Sequence, residues 1–419
     1  MLDSSYKIPA IVLDANIRSQ EGIIQSLGKH NVPVIAISSL HDCPAFHSKY
    51  VVESYISPRI EAEGDQYINF LITLPIKGVL IYSDDVNTVF LSRYQEKLIR
   101  AGFLVNMPAP DNLEKVFDKW TCSQVSNELG INFPKTSLVQ SIIDAERVWD
   151  EFNKPVILKG TRLAGGEYEK IDSLDKLRGA LETLKQKTES EDYRARNSKI
   201  ILQEFLEYKM TDIWCCETVY NQNSIPMGHF TIRKIRPSFM GNGEFGSRMF
   251  AGEYIYSKEL IEMTDKLLLS MQWKGFAHLD FVYQPRDKRF YLLEVNPRLP
   301  GFSFYPSAAG YKMALLYYLD LIGETPRNVS DKYPISVYFE TFRSPGDVTA
   351  NLYYMMKGWI RVWPYILSYL RLLQPGIIKV IEPIRLDDMG FTMRSVWNDF
   401  RNYLNWIVKG LKKRLLSIG

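Results

Sequence analysis

The chain has 419 residues, 46% of them apolar and 13% aromatic, which excludes a disordered polymer and suffices for two or three packed domains. Its net charge of +3 is too small to argue for nucleic acid. The charge is uneven: from Asn351 onward 11 Lys/Arg face 4 Asp/Glu, a local excess of +7 that leaves the rest of the chain at −4.

The amino-terminal MLDSSYKIP lacks a basic-then-apolar signal, and no uncharged apolar run approaches the roughly 18 residues of a membrane span, so a cytoplasmic protein is expected. Ile8–Leu13 is a short apolar run broken by Asp14-Ala15-Asn16. Ile23, Ile24 and Leu27 form one helical stripe that ends at Gly28 and Asn31, and Pro33–Ile37 is the next apolar run. Near-continuous hydrophobic strands in a β-α-β unit imply a buried parallel sheet. Gly78–Tyr82 and Gly102–Val105 repeat the strand pattern. The G-x-G-x-x-G fingerprint is absent, so a Rossmann-like shape here does not imply a dinucleotide.

Pro108 and Pro110 mark a boundary near residue 107, and Asp111–Leu129 reads as one helix carrying Lys119 and closed by Gly130. Pro155-Val156-Ile157-Leu158-Lys159 is an apolar strand ending in lysine, and it runs into a glycine-bearing loop, Gly160–Glu167, with Arg162, Gly165 and Gly166. Such loops let backbone N–H groups approach phosphate oxygens, although the Walker A spacing is missing. Lys170–Arg196 reads as a charged helix, and Ile200–Leu206 as a strand reaching a hinge. Ile213–Tyr220 and Gly228–Ile235 read as paired strands around the turn Asn221–Ser224. The first holds adjacent Cys215 and Cys216, which make a poor disulfide; with Cys43 and Cys122 they show no metal-ligand spacing, so reduced buried thiols are expected. Arg233-Lys234-Ile235-Arg236 places Arg233 and Ile235 on one face of the strand and Lys234 and Arg236 on the other, so one face can aim a guanidinium at an anion while the other is solvated.

Trp273–Gly301 reads as a hairpin: Phe276–Tyr283 and Phe290–Asn296 flank the polar turn Gln284–Arg289. Centred on Asp287, it sets Asp280 opposite Glu294 and His278 opposite Asn296, all on one face. Facing carboxylates repel unless a cation lies between them, and hard oxygen donors of this kind suit Mg²⁺. From about residue 326 the character changes. Ile335–Phe342 looks like a strand, and Asn351–Leu373 and Val396–Leu416 are aromatic, basic blocks with Trp359, Trp363, Trp397 and Trp406. That composition suits helices at an anionic membrane surface or a helical cap packed on the preceding domain.

Glu294-Val295-Asn296-Pro297-Arg298, preceded by Asp280 on the neighbouring strand, resembles the metal-binding signature of the ATP-grasp ligases. Lys119, Lys159 and Glu204 fall in the family's order ahead of it. The resemblance implies a mixed α/β and α+β fold. A Rossmann-like pre-ATP-grasp domain (1–106) would precede a two-subdomain ATP-grasp domain (107–325, with 133–205 as its lid) and a helical carboxy-terminal region (326–419). It further implies that Lys119, Lys159, Gly165 and Gly166 contact ATP phosphates and that Gln203, Glu204, Phe205 and Leu206 hold adenine. Asp212 or Glu207 would take the ribose, with Asp212 favoured. Asp280, Glu294 and Asn296 would hold Mg²⁺, as two ions, or Mn²⁺, while Arg298 with Arg233 would stabilise an acyl phosphate. The implied activity is carboxylate–amine ligation between small molecules, most similar to D-aspartate ligases that modify cell-wall precursors. Carbamoyl-phosphate-synthase-like phosphorylation of a small acid, and a membrane-docked nucleotide binder without turnover, are the alternatives. No nucleic-acid partner is expected; peripheral contact with an anionic inner membrane face stands beside the packed helical cap as one of two readings of the carboxy-terminal region, and oligomeric state stays open with a homodimer among the options.

Overall fold

The computed structural model describes residues 6–60, 64–82, 84–162, 168–188, 198–239, 245–324, 332–340, 347–358, 360–382, 386–398 and 400–401. The amino-terminal unit runs β1 (Ala10–Val12), α1 (Arg18–Gly28), β2 (Val34–Ser38), β3 (Val51–Ile56), α2 (Gly64–Thr73), β4 (Val79–Ile81) and α3 (Asp85–Arg100). Its four strands pair in parallel in the order β3-β2-β1-β4. Every residue of β1, β2 and β4 is buried, as strands covered on both faces require. Gly102–Val105 adds a single bridge, Val79 to Leu104, rather than a full strand.

The expected helix over 111–129 is two helices, α4 (Pro110–Phe117) and α5 (Lys119–Glu128). Asp118 breaks it by taking an extended conformation, and its carboxylate accepts a hydrogen bond from Thr121 N at 3.0 Å, an N-cap worth about 1 kcal/mol. Lys119 thereby becomes the first residue of α5 instead of a mid-helix residue.

A four-stranded antiparallel sheet follows, from β5 (Thr136–Leu138), β6 (Val156–Gly160), β7 (Tyr168–Ile171) and β8 (Ile200–Glu204), in the order β5-β8-β6-β7. It is backed by α6 (Ile142–Trp149) and α7 (Leu174–Thr188), and its core is its own, with Val139, Val156, Leu158, Leu177, Leu181 and Leu202 buried together.

The central sheet has seven strands: β9 (Ile213–Tyr220), β10 (Pro226–Phe239), β11 (Phe245–Tyr254), β12 (Gly275–Gln284), β13 (Arg289–Asn296), β14 (Ser336–Glu340) and β15 (Ile378–Glu382), ordered β13-β12-β9-β10-β11-β14-β15. One face packs on α8 (Lys258–Ser270), α4 and α5. The other shares one continuous core with the amino-terminal unit and α10 (Met313–Leu321), which follows the short α9 (Phe304–Ala308). The approach is close: Gly275 has φ +73°, and a Cβ there would sit 2.6 Å from the Asn106 carbonyl, so only glycine fits. Phe276 packs against Tyr317 with ring centroids 4.5 Å apart.

The region after residue 326 is not a purely helical appendage. β14 and β15 pair in parallel and extend the central sheet beyond β11. Between them lie α11 (Asp347–Met356) and α12 (Val362–Tyr369). A last helix over 389–398 returns to the amino-terminal unit, where Asp388 accepts from Ser48 and Arg394 pairs with Asp42. Among the described residues no helix is long and apolar enough to cross a membrane. Trp359, Trp406 and the Lys412-Lys413-Arg414 run lie outside the described residues.

Candidate active site

The hairpin of β12 and β13 sets the register of the site. Near the turn Gln284 pairs with Arg289 and Phe281 with Leu292, a frame that would put Leu293 opposite Asp280. A bulge between Asp280 and Phe281 leaves Leu293 as the extra residue and restores Asp280 to Glu294 and His278 to Asn296, the pairing read from the sequence. The displaced Leu293 lines the cleft between the central sheet and the β5–β8 sheet, with Ile157, Tyr168 and Ile213.

Bare carboxylates about 5 Å apart across a strand pair repel by roughly 3 kcal/mol at an effective dielectric near 20. Lysines answer that repulsion. Lys234 Nζ donates to Asp280 Oδ1 at 2.9 Å, and Lys119 Nζ lies 3.5 Å from Glu294 Oε2. His278 Nε2 is 3.2 Å from Asp280 Oδ2. Burial alone would raise the Asp280 carboxyl, but the Lys234 ammonium and His278 outweigh it and hold it well below the usual carboxylate range. Arg298 Nε donates to Asp85 Oδ1 at 2.6 Å, at the start of α3, and its Nη2 reaches Asn296 Oδ1 at 3.5 Å. The amino-terminal unit thus touches the site through Asp85. Two facing carboxylates and an amide oxygen make an oxygen-only donor set, and Asp280, Glu294 and Asn296 fit a hard divalent cation.

Across the cleft, Lys159 is the penultimate residue of β6. Burial, with the Lys119 charge beside it, pushes its ammonium down to about 7, and Glu294 opposes this in part. The Leu163–Glu167 segment with Gly165 and Gly166 lies outside the described residues. Arg162, just before it, is turned onto Glu114 and Asp118. Gln203, Glu204, Phe205 and Leu206 line the same cleft as Lys159 and Glu294. Gln203 Nε2 donates to Thr136 Oγ1 at 2.8 Å, and Glu204 Oε2 accepts from Lys135 N at 3.4 Å.

One expected residue, Arg233, lies elsewhere. Arg233 faces away from Asp280: its Nε donates to Glu253 Oε1 at 2.7 Å and its guanidinium lies over Trp214. The cation that β10 turns inward is its neighbour Lys234. Arg236 is buried among Phe339, Tyr365 and Tyr369. Asp212 and Glu207 line a groove that shares Glu204, Phe205 and Leu206 with the cleft holding Lys159 and Glu294, and Asp212 Oδ2 accepts from Lys209 N at 2.7 Å. Sequence reading gave no role to Lys234, His278 or Asp85. The alternation that placed Asp280 and His278 on one face was the available signal for His278, while Asp85 carried none.

No protein-family model matches the chain. It is 21% identical over 313 residues to a urea amidolyase of Lachancea kluyveri, covering 66% of this chain and 15% of that protein. It is 23% identical over 226 residues to the C-terminal section of the carbamoyl phosphate synthase large chain of Aquifex aeolicus, covering 52% of this chain and 40% of that one. The chain therefore spans less than half the length of these curated relatives. Among solved structures, the biotin carboxylase domain of Hydrogenobacter thermophilus 2-oxoglutarate carboxylase, bound to MgADP, ADP and bicarbonate, superposes with TM-score 0.63 at 13% identity, over 81% of this chain and 76% of that one. The L-amino acid ligase of Bacillus licheniformis gives 0.55 at 13% identity, over 75% and 74%. These likenesses establish an ATP-grasp fold.

Proposed function

We propose that the chain is an ATP-dependent carboxylate–amine ligase. The observation that carries this reading is the Asp280–Glu294 pair, set beneath a cleft that Lys159 closes from the facing sheet. In this reading Lys119 and Lys159, with Gly165 and Gly166, hold the nucleotide phosphates, and Gln203–Leu206 hold adenine. Asp280, Glu294 and Asn296 would hold Mg²⁺, which would supply charge to neutralise the phosphates. The substrate carboxylate oxygen attacks the γ-phosphorus, the bond to the bridging oxygen breaks, and ADP leaves. The amine nitrogen then attacks the acyl carbon, phosphate departs, and the amine proton passes to solvent. In this reading Arg298 stabilises the acyl phosphate, and Lys234, which holds Asp280, would supply the second cation expected of Arg233. Such fixed cations stabilise developing charge without reorganising.

An amino acid as one substrate is supported by the fold shared with the Bacillus licheniformis L-amino acid ligase, and a D-aspartate-like acid joined to a cell-envelope precursor is our specific proposal. The second reading, phosphorylation of a small acid, is favoured by the carbamoyl phosphate synthase relative. ADP release screened over D- and L-amino acids and over bicarbonate separates them. Stimulation by an amino acid with an amine acceptor supports ligation, and stimulation by bicarbonate alone supports the second reading.

The acceptor side bears on the carboxy-terminal region. α12 buries none of its residues and exposes Val362, Trp363 (70%), Ile366 and Leu367, with Leu370 and Leu373 (76%) continuing the surface. From Asn351 to Ile381 the chain carries Lys357, Arg361, Arg371 and Lys379 and no acidic residue. An anionic lipid surface matches that combination, each basic group contributing about 1 kcal/mol near it. In this reading the acceptor is presented at a membrane.

A further inference from the structure

On the face of the sheet that carries Asp280 and Glu294, β9 and β12 bring three more ligand-type side chains together. Cys215 is the strand partner of Asp280, and Glu217 that of His278. The Cys215 sulfur, a Glu217 carboxylate oxygen and a His278 ring nitrogen all lie within 4.8 Å of one another. Cys215 and Glu217 have no exposed surface, and His278 keeps 3%. Neither carboxylate oxygen of Glu217 has a hydrogen-bond partner, and His278 Nδ1 has none. Other buried side-chain atoms of the chain, such as those of Gln20 and Asn87, also lack partners, but here three from two neighbouring residues converge beside a buried thiol, which points to a missing partner that can serve all of them. A water molecule would meet the oxygens and the nitrogen but would gain little from a thiol.

We propose that Cys215, Glu217 and His278 form a binding site for one zinc ion, distinct from the oxygen-only set of Asp280, Glu294 and Asn296. One sulfur, one nitrogen and one carboxylate is a borderline-soft donor set that suits zinc and disfavours Mg²⁺. Tetrahedral ligation at roughly 2.0–2.3 Å places ligand atoms about 3.5 Å apart, so the cluster closes by about 1 Å on the ion. His278 Nε2 already faces Asp280 Oδ2 at 3.2 Å, which fixes the ring and leaves Nδ1 as the bare nitrogen, in the carboxylate–histidine–metal pattern. On binding, the thiol and carboxyl protons pass to solvent, so two anionic ligands meet a doubly charged ion and the buried assembly is neutral. The ion ties β9 to β12 directly beside Asp280.

The test is metal analysis of the full-length protein purified without chelator, with a parallel preparation grown on cobalt. We expect about one equivalent of zinc per chain and, in the cobalt form, a thiolate-to-cobalt charge-transfer absorption. Cys215→Ser should abolish that absorption and Cys216→Ser should keep it, while Glu217→Gln should weaken metal retention about tenfold or more and lower the melting temperature. A metal-free protein, no charge-transfer absorption, or an absorption that survives in Cys215→Ser overturns the proposal. So does a Glu217→Gln variant that melts higher than the parent, because that identifies Glu217 as an unpaired acid with no ion to hold.

Discussion

Lys234→Met probes the electrostatics of the site before any catalysis is measured. The Lys234 and Asp280 side chains are 4% and 14% exposed and 2.9 Å apart. Removing one partner of a buried pair costs about 3–5 kcal/mol, since the other charge is left uncompensated. His278 remains beside Asp280 and moderates the loss, so about 3 kcal/mol is expected. With an unfolding entropy near 2.1 cal/mol/K per residue, a 419-residue chain melting as one unit drops by roughly 1 °C per kcal/mol, giving a shift of about 3 °C. Because the folded Asp280 carboxyl lies below its ordinary value, its contribution is present above the unfolded value of about 3.9 and is lost as pH falls through the folded one. The assay is therefore calorimetry at pH 7 on Lys234→Met, Asp280→Asn and the double variant. The double variant should fall short of the summed losses by about 2 kcal/mol, since removing the second charge cures the orphaned first. Strictly additive shifts would refute the pairing as the source of stability.

Glu294→Gln should abolish ADP formation while leaving the melting temperature within a few degrees of the parent; near-normal turnover removes the facing pair from the mechanism. Lys159→Ala should weaken ATP binding at least tenfold, about 1.4 kcal/mol, and an unchanged calorimetric dissociation constant counts against its phosphate role. The Lys159 ammonium at about 7 adds a pH test. Below pH 7 the free protein carries the charge, and above it the proton must be taken up on binding. ATP affinity should therefore decline from pH 7 toward 9 and stay flat in Lys159→Arg. Vesicles containing phosphatidylglycerol should bind the protein at low salt and release it as salt rises, and deleting Lys409–Gly419 should weaken this without loss of ATP binding. A protein that ignores such vesicles at low salt has no membrane-facing surface.

Much of the site was legible because strand alternation is a short-range rule. One assumed turn centre paired Asp280 with Glu294 and His278 with Asn296, and the structure holds that pairing. It was right for an incomplete reason, since the turn itself is centred half a residue earlier and the Leu293 bulge makes up the difference. Alternation also separated Arg233 from Lys234, but it does not say which face is inward. Glu253 on β11 and Asp280 on β12 decide that, and both are remote in sequence. The break at Asp118 was written as an N-cap residue inside an otherwise continuous helical pattern. The addition of β14 and β15 to the central sheet depends on long-range pairing, which local composition does not encode. The Cys215–Glu217–His278 cluster escaped for the same reason: its spacing spans two strands, and no short motif contains it.

The division of the cores fixes an order of events during synthesis. The core of the amino-terminal unit is continuous with Phe230, Phe276, Tyr305 and Tyr317, more than 200 positions downstream of Val12, and Tyr82 after β4 packs edge-on to Phe276 and Tyr317, so the first unit translated cannot finish its core until the chain has passed α10. The β5–β8 sheet draws its core from residues 139 to 202 alone. Local contacts form first because they close short loops. A nascent chain halted near residue 250 should therefore resist proteolysis over 136–204 while its first hundred residues are still cut, and the middle of this protein folds before its beginning.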